Sequence, residues 1–215
     1  MTVRLYLVRH GETTWNADGR IQGRADPPLN DRGRAQAEQL ADRFRGDGAS
    51  ALYSSPQQRA RQTAERIAAA TGLPIHFDDR LQEHDMGVFT GLTGAKIAER
   101  YPEFVREWAE RAIDIPGGEA TMDFRARAVG VMHDIAARHA EGKVVVVAHG
   151  GLMGQFLAGL LDLDPARRHP FRFDNASVSI VDLGAVPRLV RLNDVSHLLI
   201  AAAPEADSHT PGDEG

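Results

Sequence analysis

The chain reads as an α/β protein: a three-layer α/β/α sandwich around a mostly parallel central sheet. Three observations predict it. Leu5-Tyr6-Leu7-Val8 and Val144-Val145-Val146-Val147-Ala148 are unbroken apolar runs, the pattern of strands covered on both faces. Strand signals alternate with helical patterns of about 10–20 residues, which calls for crossover connections and parallel pairing. Both apolar runs end on a histidine followed by glycine, in Arg9-His10-Gly11-Glu12 and His149-Gly150-Gly151. The carboxyl ends of strands are where open α/β sheets bind ligands.

Taken in order, the first strand starts by Val3 and stops at Arg9. A polar, glycine-punctuated stretch follows, from Thr13-Thr14-Trp15-Asn16 through Gly19 and Gln22-Gly23 to Pro27-Pro28. It has no period and exceeds a simple turn, so it is expected to fold over the pocket as a binding loop. Asn30-Asp31 opens a helix to about Arg45, with Ala37, Leu40, Ala41 and Phe44 inward. Ala51-Leu52-Tyr53 is a short strand. Ser55-Pro56-Gln57-Gln58 has capping-box spacing with proline at the first helical position. The helix it predicts runs to Ala70 and stops at Gly72-Leu73-Pro74, with Arg59 in its first turn and Thr63 on the same face one turn later. Pro74 to Phe77 is a further strand candidate, and Asp78 to Gly91 is irregular. Short helices are expected around Ala95–Arg100 and Pro102–Ala112, before Ile115-Pro116-Gly117-Gly118 breaks the pattern. Phe124, Ala128, Val131 and Ile135 mark an amphipathic helix to about Ala140. After the valine strand comes a helix from Leu152 to Leu161. Ala176–Asp182 and Arg188–Leu192 form a closing strand pair, expected as an antiparallel edge. Residues 1–200 read as one domain, and 201–215, rich in Pro, Gly and acid, as a flexible tail.

Composition narrows the function. The 215 residues are 42% hydrophobic and 26% charged, as in a soluble globular protein, and the net charge of −5 speaks against nucleic acid or an anionic membrane as partner. Clustered arginines are therefore a local feature. With no cysteine, disulfides, thiolate metal sites and cysteine nucleophiles are excluded. No apolar window approaches the length of a membrane span, and the N-terminal run is too short for a signal peptide. A cytoplasmic protein without metal or cofactor is expected, its partner a small molecule.

Three strand ends carry groups suited to phosphate. The first gives Arg9 and His10, the second leads to Arg59, and the valine strand gives His149 before two glycines at a helix N-terminus, whose free N–H groups and dipole favour an anion. Arginine forks match phosphoryl oxygens bidentately. Of two histidines, one can attack phosphorus while the other holds its oxygens. Arg-His-Gly-Glu alone is only moderately specific; its partners elsewhere in the chain decide.

These residues bring out a resemblance. Arg9-His10-Gly11-Glu12 with Thr13 and Asn16, Leu29-Asn30-x-x-Gly33, and Ser54-Ser55-Pro56-x-x-Arg59-Ala60-x-Gln62-Thr63-Ala64 come first. Leu81-x-Glu83-x-x-x-Gly87, Gly117-Gly118-Glu119, Val146-Val147-Ala148-His149-Gly150-Gly151 and Asp174-Asn175-Ala176-Ser177 follow in order. The chain resembles the histidine phosphatase superfamily, in its phosphoglycerate-mutase-like branch. The resemblance implies the phosphoglycerate-mutase-like fold, with His10 as the nucleophile that becomes phosphohistidine. It implies that Arg9, Arg59 and His149 hold the phosphoryl group, and that Glu83 is the proton donor and later the base for water. Asn16, Gln22, Gly23 and Gly150 would line the phosphate or substrate site. No metal or cofactor is implied, and a homodimer is compatible with the family.

Three readings remain. A phosphatase leads, the alternative is a cofactor-dependent phosphoglycerate mutase, and a non-catalytic phospho-ligand binder is disfavoured because the acid is present. The mutases this chain resembles carry a lysine where Gly94 stands and Trp-Arg-Arg at Trp108-Ala109-Glu110, and a long insertion where only Ile113 to Gly118 stands here. Those departures favour hydrolysis. A histidine at the position of Met86 in metal-independent phosphoserine phosphatases of this type weakens that substrate. His76, His133, His139, His169, His197 and His209 share no ligand spacing and read as structural. His84 is a candidate substrate contact, Trp15 and Trp108 read as packing, and Asp85 and Asn175 as supporting groups.

Overall fold

The computed structural model describes residues 2–105, 113–167 and 169–199. Its strands are β1 (Val3–Arg9), β2 (Ala51–Ser54), β3 (Ile75–Phe77), β4 (Gly142–Ala148), β5 (Val178–Leu183) and β6 (Arg188–Asp194), in one sheet of order β3-β2-β4-β1-β5-β6. The first four are mutually parallel, while β5 and β6 run antiparallel, as the closing strand pair predicts. The helices are α1 (Thr14–Ala17), α2 (Asp31–Phe44), α3 (Gln58–Thr71), α4 (Gly94–Arg100), α5 (Thr121–Ala137), α6 (Gly150–Leu160) and α7 (Ser196–Leu199). Residues 102–105 are helical; the rest of the helix expected to Ala112, with Trp108, Ala109 and Glu110, lies outside the described residues, as does the tail from 201.

Side-chain alternation along the central strands builds the two covering layers. Leu5, Leu7, Val144 and Val146 face Phe124, Val131 and Ile135 of α5 and Leu152 and Phe156 of α6. Val8, Leu52, Val145 and Val147 face Leu40 and Phe44 of α2 and Ala60 and Ile67 of α3. Each such fully buried chain contributes roughly 1.5–3 kcal/mol of transfer free energy. A smaller cluster of Phe89, Ile97 and Ile115 lies beneath the loops beside the pocket.

Register positions the chemistry. Leu5 pairs with Val144, Leu7 with Val146 and Arg9 with Ala148, so His10 and His149 leave adjacent parallel strands side by side.

Two local expectations are corrected. The loop after His10 contains α1, one turn closed by a reciprocal capping box between Thr13 and Asn16. The Ser55 box does not form: α3 starts at Gln58 with Gln57 as N-cap and no side-chain cap bond. The Ser55 hydroxyl is held by His149 instead, and Asp26 Oδ1 accepts from the Gln58 N–H at 2.6 Å.

Candidate active site

The site is assembled where β1, β4 and the start of α3 converge. His10 is 3% exposed, and its Nδ1 lies 2.7 Å from the Gly11 carbonyl. A carbonyl only accepts, so Nδ1 carries the proton and Nε2 keeps its lone pair. Arg59 Nε donates to that Nε2 at 3.3 Å. Burial, then the nearby Arg59 and Arg9 charges, hold the imidazole well below its ordinary value, so it is neutral at pH 7. The turn is pinned by the Gly11 N–H to Thr63 Oγ1, whose hydroxyl donates to the Arg59 carbonyl.

Arg59 is 1% exposed, and its Nη1 and Nη2 donate to the Ala25 and Gly23 carbonyls at 2.7 and 2.9 Å. It therefore ties the 22–25 loop to the pocket while turning Nε toward His10. Burial lowers its guanidinium to about 10, still cationic at neutral pH. Arg9 Nη1 donates to the Phe173 carbonyl at 2.6 Å, and its buried Nε has no hydrogen-bond partner. His149 is wholly buried, its ring 5.2 Å from that of His10. Its Nε2 lies 2.9 Å from Ser55 Oγ, leaving the buried Nδ1 without a partner. Burial and then Arg59 keep this ring neutral too. Buried polar atoms without partners are rare in folded proteins, and two of them, Arg9 Nε and His149 Nδ1, belong to residues at the ends of adjacent strands.

Glu83 meets the helix. Its carboxylate accepts from the backbone N–H groups of Gly151 at 3.0 Å, Leu152 at 3.1 Å and His84 at 2.9 Å. The place at the α6 N-terminus that would suit an anion is thus taken, in this structure, by the Glu83 carboxyl group. Gly151 must be small for it: a Cβ there would lie 2.5 Å from Glu83 Oε1. Gly150 instead backs onto Arg9, with a would-be Cβ 3.6 Å from Nε. Asn16 Oδ1 accepts from the Thr13 N–H and from Asn175 Nδ2, leaving the Asn16 amide N–H groups for a ligand.

Together these residues open into a pocket of about 400 Å³. Arg9, His10, Asn16, Gln22, Gly23, Arg59 and Glu83 line it, with Gly151 in place of Gly150 and with His149 buried behind. His84 lines it as well, stacked on Phe124 at 4.3 Å. Sequence reasoning passed over several participants. Gln57 spans the site, donating to the Gly23 carbonyl and accepting from the Glu83 N–H; nothing local marks it. Arg20, fixed on the Gly91 carbonyl and 4.4 Å above Trp15, reaches the pocket, as does His169. Among the described residues no cluster of three or more His, Cys, Asp or Glu could hold a metal, and no helix is long and apolar enough to cross a membrane.

The family model of the histidine phosphatase superfamily (branch 1) matches residues 5–195. The chain belongs to that superfamily. Phosphoserine phosphatase 1 of Hydrogenobacter thermophilus is 36% identical to this histidine phosphatase over 91% of the chain and 94% of the relative. The probable phosphoglycerate mutase GpmB of Citrobacter koseri is also 36% identical, over 94% and 98%. The solved mycobacterial glucosyl-3-phosphoglycerate phosphatase complexed with VO3 superposes with a TM-score of 0.82 at 34% identity, covering 89% of this chain and 98% of that one. The family is one of phosphoric monoester chemistry, and phosphatase is the activity these likenesses support.

Proposed function

We propose that this histidine phosphatase hydrolyses small phosphate monoesters in two steps through phosphohistidine at His10, in the cytoplasm and without metal. The observation that carries the reading is the contact of His10 Nδ1 with the Gly11 carbonyl, from which the tautomer follows. The Nδ1–H is spent on the Gly11 carbonyl, so the Nε2 lone pair is held beside Arg59 Nε in the pocket. Nε2 forms the bond to phosphorus as the ester P–O bond breaks. The oxygens are held by Arg9, Arg59, the His149 Nδ1 and the Asn16 amide, charges and dipoles already in place before reaction. Glu83 gives its proton to the departing alcohol oxygen. It then takes one from water as water attacks phosphorus and the P–N bond breaks. The sum is ester plus water to alcohol plus inorganic phosphate.

The alcohol is set by the outer pocket. Ile21, Met86, Ile113 and Ile115 supply apolar wall, and Gln155, Thr121 and His84 supply polar atoms. Phosphoserine and glucosyl-3-phosphoglycerate, the substrates in the relatives' names, head the panel of esters to assay. The mutase named for GpmB-like relatives is the second reading, and the similarity over 94% of the chain keeps it in play.

The deciding experiment is a rapid quench in alkaline detergent with ³²P-labelled ester. Wild type is expected to carry acid-labile, base-stable label, and His10→Ala to carry none while remaining folded. Label on His10→Ala would overturn the nucleophile; no phosphate release from any ester would overturn the hydrolase.

A further inference from the structure

Arg127, on α5, is not among the residues that line the pocket, yet every N–H of its guanidinium has a place. Nε and Nη2 donate bidentately to Glu119 at 2.8 and 2.6 Å. Nη1 donates to the carbonyls of both Arg80 and Gln82 at 2.7 Å, and Nη2 reaches the Glu83 carbonyl at 3.4 Å. A single planar fork thus grips the backbone of the segment that carries the proton donor. The other side is gripped by Gln57, which accepts from the Glu83 N–H at 2.8 Å. The same cluster extends to the next residue: His84 Nε2 donates to the Glu119 carbonyl at 2.8 Å, and Phe124 lies between His84 at 4.3 Å and Arg127 at 4.9 Å. Arg24, from the loop carrying Gln22 and Gly23, approaches Glu119 at 3.5 Å.

Residues 78–91 carry little regular structure of their own, only two single turns at Asp79–Leu81 and Gly87–Phe89. Something outside the segment has to fix the acid, and a five-donor planar group matches three carbonyls and a carboxylate where a lysine cannot. We infer that Arg127 is the positioning residue of the general acid, holding the backbone on which Glu83 meets the leaving oxygen. It touches neither substrate nor the phosphoryl group, so its contribution is confined to steps that need the acid in place.

This rests on Glu83 being the acid, and the experiment separates the two ideas. kcat and KM are measured for an alkyl phosphate and for p-nitrophenyl phosphate in wild type, Glu83→Gln, Arg127→Lys, Arg127→Met and the Glu83→Gln/Arg127→Lys double variant. Misplacing a catalytic group by about 1 Å can cost about 100-fold, so both Arg127 variants are expected to lose roughly 10- to 100-fold in kcat/KM on the alkyl ester. On p-nitrophenyl phosphate, whose leaving group needs little protonation, the loss in kcat/KM, which reports the phosphorylation half-reaction alone, is expected within about threefold. Inhibition by inorganic phosphate should be unchanged. In the Glu83→Gln background Arg127→Lys should cost nothing further on the alkyl ester. Equal losses in kcat/KM on both esters, or additive losses in the double variant, would overturn the positioning role while leaving Glu83 as the acid. If Glu83→Gln itself shows no leaving-group dependence, both assignments fall. Should Arg127→Met not fold, Arg127→Lys and Glu119→Gln carry the same expectation.

Discussion

At the scale of single residues the site depends on keeping two imidazoles neutral beside two guanidinium groups. Burial comes first and the Arg59 charge second in lowering both His10 and His149. For catalysis, the nucleophile stays unprotonated well into the acid range. The acid limb of kcat/KM is therefore expected well below pH 6.5; a limb centred near 6.5 would show a solvent-exposed nucleophile. For stability the sign is fixed by linkage. A histidine lowered in the folded state binds its proton only after unfolding, so the unfolded chain takes up more protons below its own value of about 6.5. Stability is then fully present above about pH 6.5 and falls as pH drops, by up to about 1.4 kcal/mol per pH unit for each histidine. Urea melts between pH 7 and 5 should show this slope, and His10→Ala should remove about a third of it, since His149 and His197, the latter lowered to about 4, carry the rest. An unchanged slope in that variant would place the protons elsewhere. Arg9, His10, Arg59 and His149 were legible because each lies in a short motif at a predicted strand or helix end, whereas Glu83, in the irregular stretch from Asp78 to Gly91, was named only through the family resemblance. Gln57, Arg127 and the Ser55 hydroxyl were not. Their partners lie 26, 44 and 94 positions away, and no local pattern encodes such a bond.

At the scale of elements, what periodicity governs was readable and what side-chain hydrogen bonds govern was not. β1, β4, α2 and α5 follow their apolar patterns, because each owes its formation to the face it buries. The α3 start was misread because Ser55 serves His149 rather than the helix. α1 escaped because one turn has no period, although Thr13 and Asn16 stand at capping-box spacing. The α6 start shows how an element can carry function through a residue with no side chain. Its Gly151 and Leu152 amides hold the Glu83 carboxylate, and a Cβ on Gly151 would lie 2.5 Å from that oxygen. Gly151→Ala is expected to leave the helix intact, alanine being the better helix former. It should cost about 10-fold or more in kcat on alkyl phosphates by displacing the acid. Thermal melting and the alkyl-to-aryl rate ratio check it together: a lowered Tm with an unchanged ratio would make this glycine a packing residue only.

At the scale of the whole molecule the question is where the phosphoryl group goes after His10. A mutase has to keep its bound intermediate long enough to return the phosphoryl group to a second oxygen, which takes cations for the far anionic group and a cover against water. Gly94 stands at the exposed start of α4, and nothing lies within 4 Å of where its side chain would begin. Ala109 and Glu110, outside the described residues, replace two further cations by sequence. Among the described lining residues the arginine beyond the phosphoryl site is Arg20, and its Nε is already given to the Gly91 carbonyl. The short stretch from Ile113 to Gly118 is held by the Val88 N–H to the Pro116 carbonyl, with the Glu119 N–H to the Asp85 carbonyl just beyond it, and its Ile113 and Ile115 wall the pocket. Each missing charge-assisted hydrogen bond forgoes about 1.5–3 kcal/mol toward a second phosphate or carboxylate. Two such losses shorten the intermediate's residence by roughly 100-fold or more, since 1.4 kcal/mol is a factor of ten. On the proposed two-step route, water is then expected to reach phosphohistidine before the intermediate can reorient. With 3-phosphoglycerate and 2,3-bisphosphoglycerate supplied together, inorganic phosphate is expected to appear well ahead of any 2-phosphoglycerate, as ³¹P NMR of the mixture would record. Faster appearance of 2-phosphoglycerate would make the chain a mutase, with the far anion held by a group other than Arg20.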